Sequence, residues 1–291
     1  MDILTEQEWL ESRLTHIGAS EVPALFGLGF MSAYELMAVK LGHVEPFSGN
    51  LATSIGLALE DIIAKEFTKK HGLELLDPGK YTVFPHHEWP VLRATPDRVI
   101  GDLEDPIAVV ELKHVSERNV QDVRDGKAHD SHLVQLQTQM LCTGARKGYL
   151  AYVIGNSEYV DLEYDYDAEW GDMILDRAKW FWELKEAGEY PEPDAKSIEV
   201  LKKLHPKDSG EEITDDAMEY WISRRQAAKA DQKALEQEIK ECDAHLMDAM
   251  GDVTTLHAGN FQVTWKWQER KGYSVEPSET RVLRVREVAD D

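Results

Sequence analysis

The sequence predicts an α/β fold with a helical and β appendage at its C-terminal end. Short β-branched runs bounded by Gly, Pro and Asp mark strands, and longer stretches with apolar residues every three or four positions mark helices. At Pro191-Glu192-Pro193 the character of the chain changes. We therefore divide the 291 residues into a domain at 1–190, a linker at 191–214 and an appendage at 215–291. A chain of this length holds one α/β domain of ordinary size plus such an extension.

The elements follow in order. Thr5 to Arg13, Ser20 to Phe26 and Ser32 to Leu41 read as helices, with Ser20 placed to cap the second. Ile55, Leu59, Ile62, Ile63 and Phe67 recur at helical spacing between Ser54 and His71. Extended runs are Tyr81 to Phe84, Val91 to Ala94, Arg98 to Ile100, Ile107 to Lys113, Lys147 to Ile154 and Tyr159 to Tyr164. Gly155-Asn156-Ser157 is a hairpin signal between the last two. Helices are expected at Asp130 to Cys142 and Asp167 to Ala187. In the first, Leu133, Leu136, Met140 and Leu141 form the buried stripe and the glutamines take other faces. In the second, Trp170, Ile174, Ala178 and Phe181 form a core-packing stripe. Asp215 to Met250 contains no Gly or Pro and reads as one long helix, N-capped by Thr214 and ended by Gly251. Its interrupted apolar stripe suits a helical hairpin or an oligomer seam. Phe261 to Trp267 alternates apolar and polar, so it reads as a strand. Trp265, Lys266, Trp267, Arg270 and Lys271 either stack on nucleic acid or, on the preferred reading, belong to a strand that packs its aromatics on the long helix.

The chemistry centres on Pro96-Asp97 and Glu111-Leu112-Lys113, with Asp97 and Glu111 fourteen residues apart. On a strand, Glu111 and Lys113 share a face while Leu112 points into the core. A hairpin turn at Gly101 to Pro106 brings Asp97 beside Glu111. Two carboxylates and an amine suit a hard cation against a phosphodiester, because Mg²⁺ takes oxygen ligands and retains water. A surface ion pair is the plainer alternative for Glu111 and Lys113. Glu60 faces either solvent or the site. Gln135 offers a neutral donor beside a phosphate. Arg13 can make a forked phosphate contact, and Ser20 sits where a helix N-terminus attracts anions.

In order, Trp9-x3-Arg13-x6-Ser20, Gly56-x3-Glu60, Pro96-Asp97, Glu111-x-Lys113 and Gln135-x-Gln137 resemble the YqaJ-type viral recombinase family, to which phage lambda exonuclease is related. The resemblance covers about residues 5 to 190. It implies the PD-(D/E)xK nuclease superfamily: a restriction-endonuclease-like core with a central mixed sheet flanked by helices. It also implies a 5′-to-3′ exonuclease on double-stranded DNA ends that leaves 3′ overhangs for strand annealing. The cofactor would be Mg²⁺, with Mn²⁺ as a substitute and two ions per site. The partners would be a second and third copy in a trimeric ring and a single-strand annealing protein. Position by position, Asp97, Glu111 and the Leu112 carbonyl resemble metal ligands and Lys113 the catalytic lysine. Glu60 and Gln135 resemble further active-site residues, and Arg13 and Ser20 the 5′-phosphate pocket. Thr95 stands where serine is common, and His114 follows the lysine; neither touches the ligand set. An endonuclease on the same core, or a non-enzymatic recombination factor, remains open on the residues alone.

Composition bounds the rest. Hydrophobic residues make up 42 %, enough for a sizeable core. No apolar run reaches membrane-spanning length, and the start lacks a signal pattern, so a cytoplasmic protein of a bacterial or phage-infected cell is expected. Cys142 and Cys242 lie far apart, which argues against a zinc or iron–sulfur site. His86-His87 and His129-x2-His132 read as solvated loop pairs. Net charge is −23, and Asp161 to Asp194 alone holds twelve acidic and three basic residues. DNA-binding proteins ordinarily carry a basic footprint. The expectation is therefore an acidic exterior with a narrow basic channel formed by Arg13, His114, Arg118, Arg124, Lys127 and Lys147.

Overall fold

A computed structural model describes residues 12–118 and 120–269, together with 2, 3, 5, 8, 272 and 283–285. Trp9 and most of the helix expected at Thr5 to Arg13 lie outside the described residues, as do Arg270 and Lys271. The chain forms two units, Met1–Leu204 and His205–Asp291.

In the first unit the elements run β1 (Asp2–Ile3), β2 (Ile17–Gly18), α1 (Val22–Leu25), α2 (Ala33–Lys40), α3 (Leu51–His71), β3 (Thr82–Pro85), β4 (Leu92–Ala94), β5 (Arg98–Gly101) and β6 (Pro106–Val115). Then come α4 (Gln121–Arg124), α5 (Asp130–Thr143), β7 (Lys147–Ile154), β8 (Glu158–Asp165), α6 (Ala168–Ala187) and α7 (Ile198–Leu204). The strands divide into two four-stranded sheets, ordered β1-β3-β4-β2 and β5-β6-β7-β8. The larger is mixed, since β6 and β7 run parallel while β5 and β8 are antiparallel to their neighbours. It is buried on both faces, which explains the continuous apolar runs of β6 and β7. One face carries Val110, Leu112, Tyr149 and Ala151 against Ile63 and Phe67 of α3. The other carries Val109, Leu150 and Tyr152 against Leu136 and Met140 of α5.

Helix ends follow local chemistry. Asn50 and Thr53 form a reciprocal capping box at the start of α3, three residues before the expected boundary. Ser32 caps α2 through the Glu35 N–H. Ser20 caps nothing: α1 is one turn long, begins at Val22, and has Glu21 at its N-cap position without a side-chain cap. Pro23 in the first turn fixes that start, since it needs no N–H partner there. The linker expected at 191–214 is also corrected. Its first part, through α7, packs in the first unit: Ser197 is fully buried and its hydroxyl bonds Ser32 Oγ at 3.2 Å.

The second unit holds α8 (Glu219–Met250) and a hairpin of β9 (Thr255–Ala258) and β10 (Phe261–Thr264). Thr214 is not the cap. Asp215 caps a 3₁₀ turn at Asp216–Met218 that leads into α8. The strand stops at Thr264, three residues short of the expected end, and Trp267 at 88 % exposure does not pack on the long helix as the sequence suggested, while Trp265 is 48 % exposed. Among the described residues no helix is long and apolar enough to cross a membrane.

Gly148 sets how closely α5 approaches the larger sheet. A Cβ there would lie 2.8–2.9 Å from three side-chain carbons of Leu136, which is fully buried. Gly148→Ala should therefore cost about 1–3 kcal/mol through overpacking and push α5 away from β7. A melting temperature equal to the wild type's would contradict this account of the contact.

Candidate active site

Strand alternation on β6 builds the centre of the site. Val109, Glu111 and Lys113 face α5, while Val110 and Leu112 face α3. Glu111 is buried at 4 % exposure and held from three directions. Gln135 Nε2 donates to its Oε1 at 2.6 Å, Gln139 Nε2 donates to its Oε2 at 2.5 Å, and Lys113 Nζ lies 2.6 Å from Oε1. Lys113 Nζ also donates to Gln135 Oε1 at 3.0 Å. Gln135 and Gln139 are one helical turn apart on α5 and grip the same carboxylate. A buried carboxylate needs such partners, because an unpaired one costs several kcal/mol.

Asp97 joins from the segment between the two sheets. Its Oδ2 accepts the Leu112 N–H at 2.7 Å, which places it beside Glu111 as the hairpin reading expected. Burial, and next the negative charge of Glu111, push the Asp97 carboxyl well above its usual range; the Leu112 N–H and Lys113 oppose this. Burial also raises Glu60, with Arg98 opposing and Glu111 adding to the rise. Glu60 is thus partly buried in the field of Glu111, Asp77 and Asp61, and its own charge adds to the rise at Asp97, rather than lying on a solvated face. For Lys113, burial works against the charge, but Glu111 and then Asp97 and Glu60 outweigh it, so the ammonium is held above its ordinary value.

Arg98 was missed by sequence reasoning. It is 7 % exposed; it donates to the Asp97 carbonyl at 2.7 Å and to Asp61 Oδ1 at 2.6 Å. It ties α3, one residue from Glu60, to the backbone of Asp97. Gln139 was also missed. Its signal was the four-residue spacing from Gln135, which the expected apolar stripe obscured; in fact Gln137 and Gln139 are both buried. His132 is corrected as well. It lies on α5, its Nδ1 is 3.1 Å from the Tyr152 hydroxyl, and burial, followed by the Lys113 charge, lowers it to about 3. His86 is likewise buried rather than solvated.

Arg13 and Ser20 line one cavity of about 680 Å³ together with Lys113, Gln135, Lys80 and Glu21. Arg13 lies 3.7 Å from Glu21, and Glu21 in turn pairs with the buried Lys40 at 2.7 Å. The expected basic channel is different in make-up. Arg124 is paired with Glu158 at 2.8 Å, and Lys147 is paired with Glu163. The cations lining the cavity are Arg13, Lys80 and Lys113.

As to metal chemistry, among the described residues no three His, Cys, Asp or Glu side chains form a metal-holding group. Two carboxylates, supplemented by a backbone carbonyl and water, instead suit a hard cation that keeps part of its hydration shell. Gln139 Oε1 is buried without a hydrogen-bond partner among the described residues, leaving an acceptor open beside the pair for a bound water.

The raised Asp97 has a consequence for stability. A carboxyl that takes up its proton more readily when folded contributes stability at low pH, and that contribution is lost as pH rises from about 4 through the folded value. Asp97→Asn removes this loss and keeps an acceptor for Leu112. In chelator at pH 8 the variant should melt higher than the wild type, each 1 kcal/mol of relief giving about 2–4 °C. The difference should close toward pH 4. A lower melting temperature at pH 8 would show that Lys113 more than offsets the burial.

Residues 8–146 match the YqaJ-like viral recombinase domain. The uncharacterized protein YqaJ of Bacillus subtilis (strain 168) is 30 % identical over 272 residues, covering 90 % of this chain and 84 % of that protein. The alkaline exonuclease LHK-Exo from Laribacter hongkongensis superposes with a TM-score of 0.51 at 22 % identity, over 68 % of this chain and 96 % of its own. A structure of LHK-Exo in complex with dAMP gives 0.52 at the same identity and coverage. The fold is shared with that nuclease, and the chain belongs to the YqaJ family of viral-recombinase-like proteins.

Proposed function

We propose that this protein is a Mg²⁺-dependent exonuclease that degrades double-stranded DNA from 5′ ends and leaves 3′ overhangs for strand annealing. The observation that carries the reading is the convergence of Asp97, Glu111 and Lys113, with Lys113 and Gln135 opening on the cavity that holds Arg13 and Ser20. Family membership and a fold shared with an alkaline exonuclease support it.

Bound Mg²⁺, on Asp97, Glu111 and the Leu112 carbonyl, would supply hydroxide near neutral pH and screen charge on the leaving oxygen. Mn²⁺ would serve in its place. The chain's own groups do the remainder. Lys113, kept charged by its carboxylate neighbours, orients the attacking oxygen and steadies negative charge at phosphorus. Gln135 and Gln139 hold Glu111 in one rotamer without adding charge. Arg13 and Ser20 bind the terminal 5′-phosphate and so place the next phosphodiester over the carboxylates. Attack at that phosphorus breaks its bond to the 3′-oxygen of the terminal nucleotide. A 5′-mononucleotide leaves with a 3′-hydroxyl, and the strand left behind carries a fresh 5′-phosphate for the same pocket. The dAMP bound by LHK-Exo is a molecule of that class. A net charge of −23 repels duplex elsewhere on the surface, which favours entry of an end over binding along the DNA.

The test is digestion of a strand-labelled linear duplex with Mg²⁺, beside a closed circle. Loss of label from the 5′ end with the circle intact is expected; cleavage of the circle would instead make the protein an endonuclease. Lys113→Ala should lower the rate by about 10²–10³-fold, and wild-type digestion by that variant would refute the assignment. Arg13→Ala should slow 5′-phosphorylated ends more than unphosphorylated ones, and equal slowing would remove the phosphate pocket.

A further inference from the structure

The long helix α8 repeats with a period of seven. Trp221, Ala228, Leu235 and Cys242 recur every seventh residue, and Arg225, Gln232, Ile239 and Leu246 fall four places after them. This alternation of four and three is the spacing of a coiled-coil seam rather than of a helix lying on a globular core. The seam is not covered: Trp221, Leu235, Ile239 and Leu246 are 54 %, 60 %, 59 % and 37 % exposed. At 32 residues the helix spans about 48 Å, more than four heptads.

Charge along the helix says what covers the seam. Glu219 to Ala234 holds four basic and two acidic residues, whereas Leu235 to Met250 holds one basic and five acidic. A second copy running parallel would set basic half on basic half. Its flanking pairs would be Arg224 with Lys229, Asp231 with Glu236 and Glu238 with Asp243, all of like sign. A second copy running antiparallel sets each basic half on an acidic one. In the register of full overlap Trp221 meets Leu246, Ala228 meets Ile239, and Arg225 meets Cys242. Ala228 then leaves room for Ile239 and Cys242 for Arg225, Gln232 faces Leu235, and Lys229 flanks Glu236. One flanking pair, Asp231 with Glu238, remains of like sign.

We propose that α8 is a self-association surface that pairs antiparallel with α8 of a second copy of this chain. The contact is isologous, made twice across a two-fold axis. It is separate from any ring formed by the first unit, and it joins two chains whatever the activity of that unit.

The register gives the experiment. Cys242 is exposed and Cys142 is buried, so only position 242 is available for oxidation in the full-length chain. Arg225→Cys, oxidised with copper–phenanthroline and run on a non-reducing gel, should give a covalent dimer. The wild type and the Arg225→Cys/Cys242→Ser double variant should not. Dimer from the wild type would mean parallel helices, and absence of dimer from Arg225→Cys would mean no such contact; either outcome overturns the proposal. Independently, Leu235→Asp with Ile239→Asp should halve the mass measured by light scattering while the helical circular dichroism of the first unit persists. An unchanged mass would overturn it equally.

Discussion

The grip of α5 on Glu111 is the interaction on which the rest of the first unit depends. A carboxylate at 4 % exposure must be compensated, and the compensation comes from two amide donors on a helix and one ammonium on its own strand. That requirement fixes the rotation of α5, because Gln135 and Gln139, one turn apart on the same face, each meet one of the two oxygens. It fixes its distance too, since Gly148 lets Leu136 seat against β7. Apolar packing and site geometry are therefore set by one contact between helix and sheet.

The carboxylates work against each other in the absence of a cation. Burial and mutual repulsion raise both Asp97 and Glu60, while Lys113 opposes the rise at Asp97 and Arg98 opposes it at Glu60. Such a cluster costs stability and is retained where a ligand repays it. Arg98 keeps the cluster together from behind, bonding the Asp97 carbonyl and the helix that carries Glu60.

Much of this was legible in the sequence, for reasons that differ by element. β6 and β7 were plain because both faces are apolar and the breakers around them are strong. The pairing of Asp97 with Glu111 followed from strand alternation and one turn. Gln139 was not legible, because a buried glutamine on a helix resembles a polar face until its acceptor is known. Nor was the partition into two sheets, since hydrogen bonding between β3 and β4 leaves no periodic trace that separates them from β5. Ser20 illustrates a third limit. Its residue type suits a cap, but Pro23 starts the turn two residues later, so the serine is left lining a cavity. The long helix was found from its lack of Gly and Pro, and its end at Gly251 was right; its start was placed four residues early because Asp215 caps a 3₁₀ turn at Asp216–Met218 before the α-helix begins at Glu219.

The partition places Asp97 at a joint. Ala94 closes the small sheet, Arg98 opens the large one, and only three residues lie between. Glu111 belongs wholly to the large sheet. The Leu112 N–H nevertheless anchors the Asp97 side chain to the large sheet, so residues 95 and 96 take up any sliding of one sheet on the other while the spacing of the two carboxylates is held.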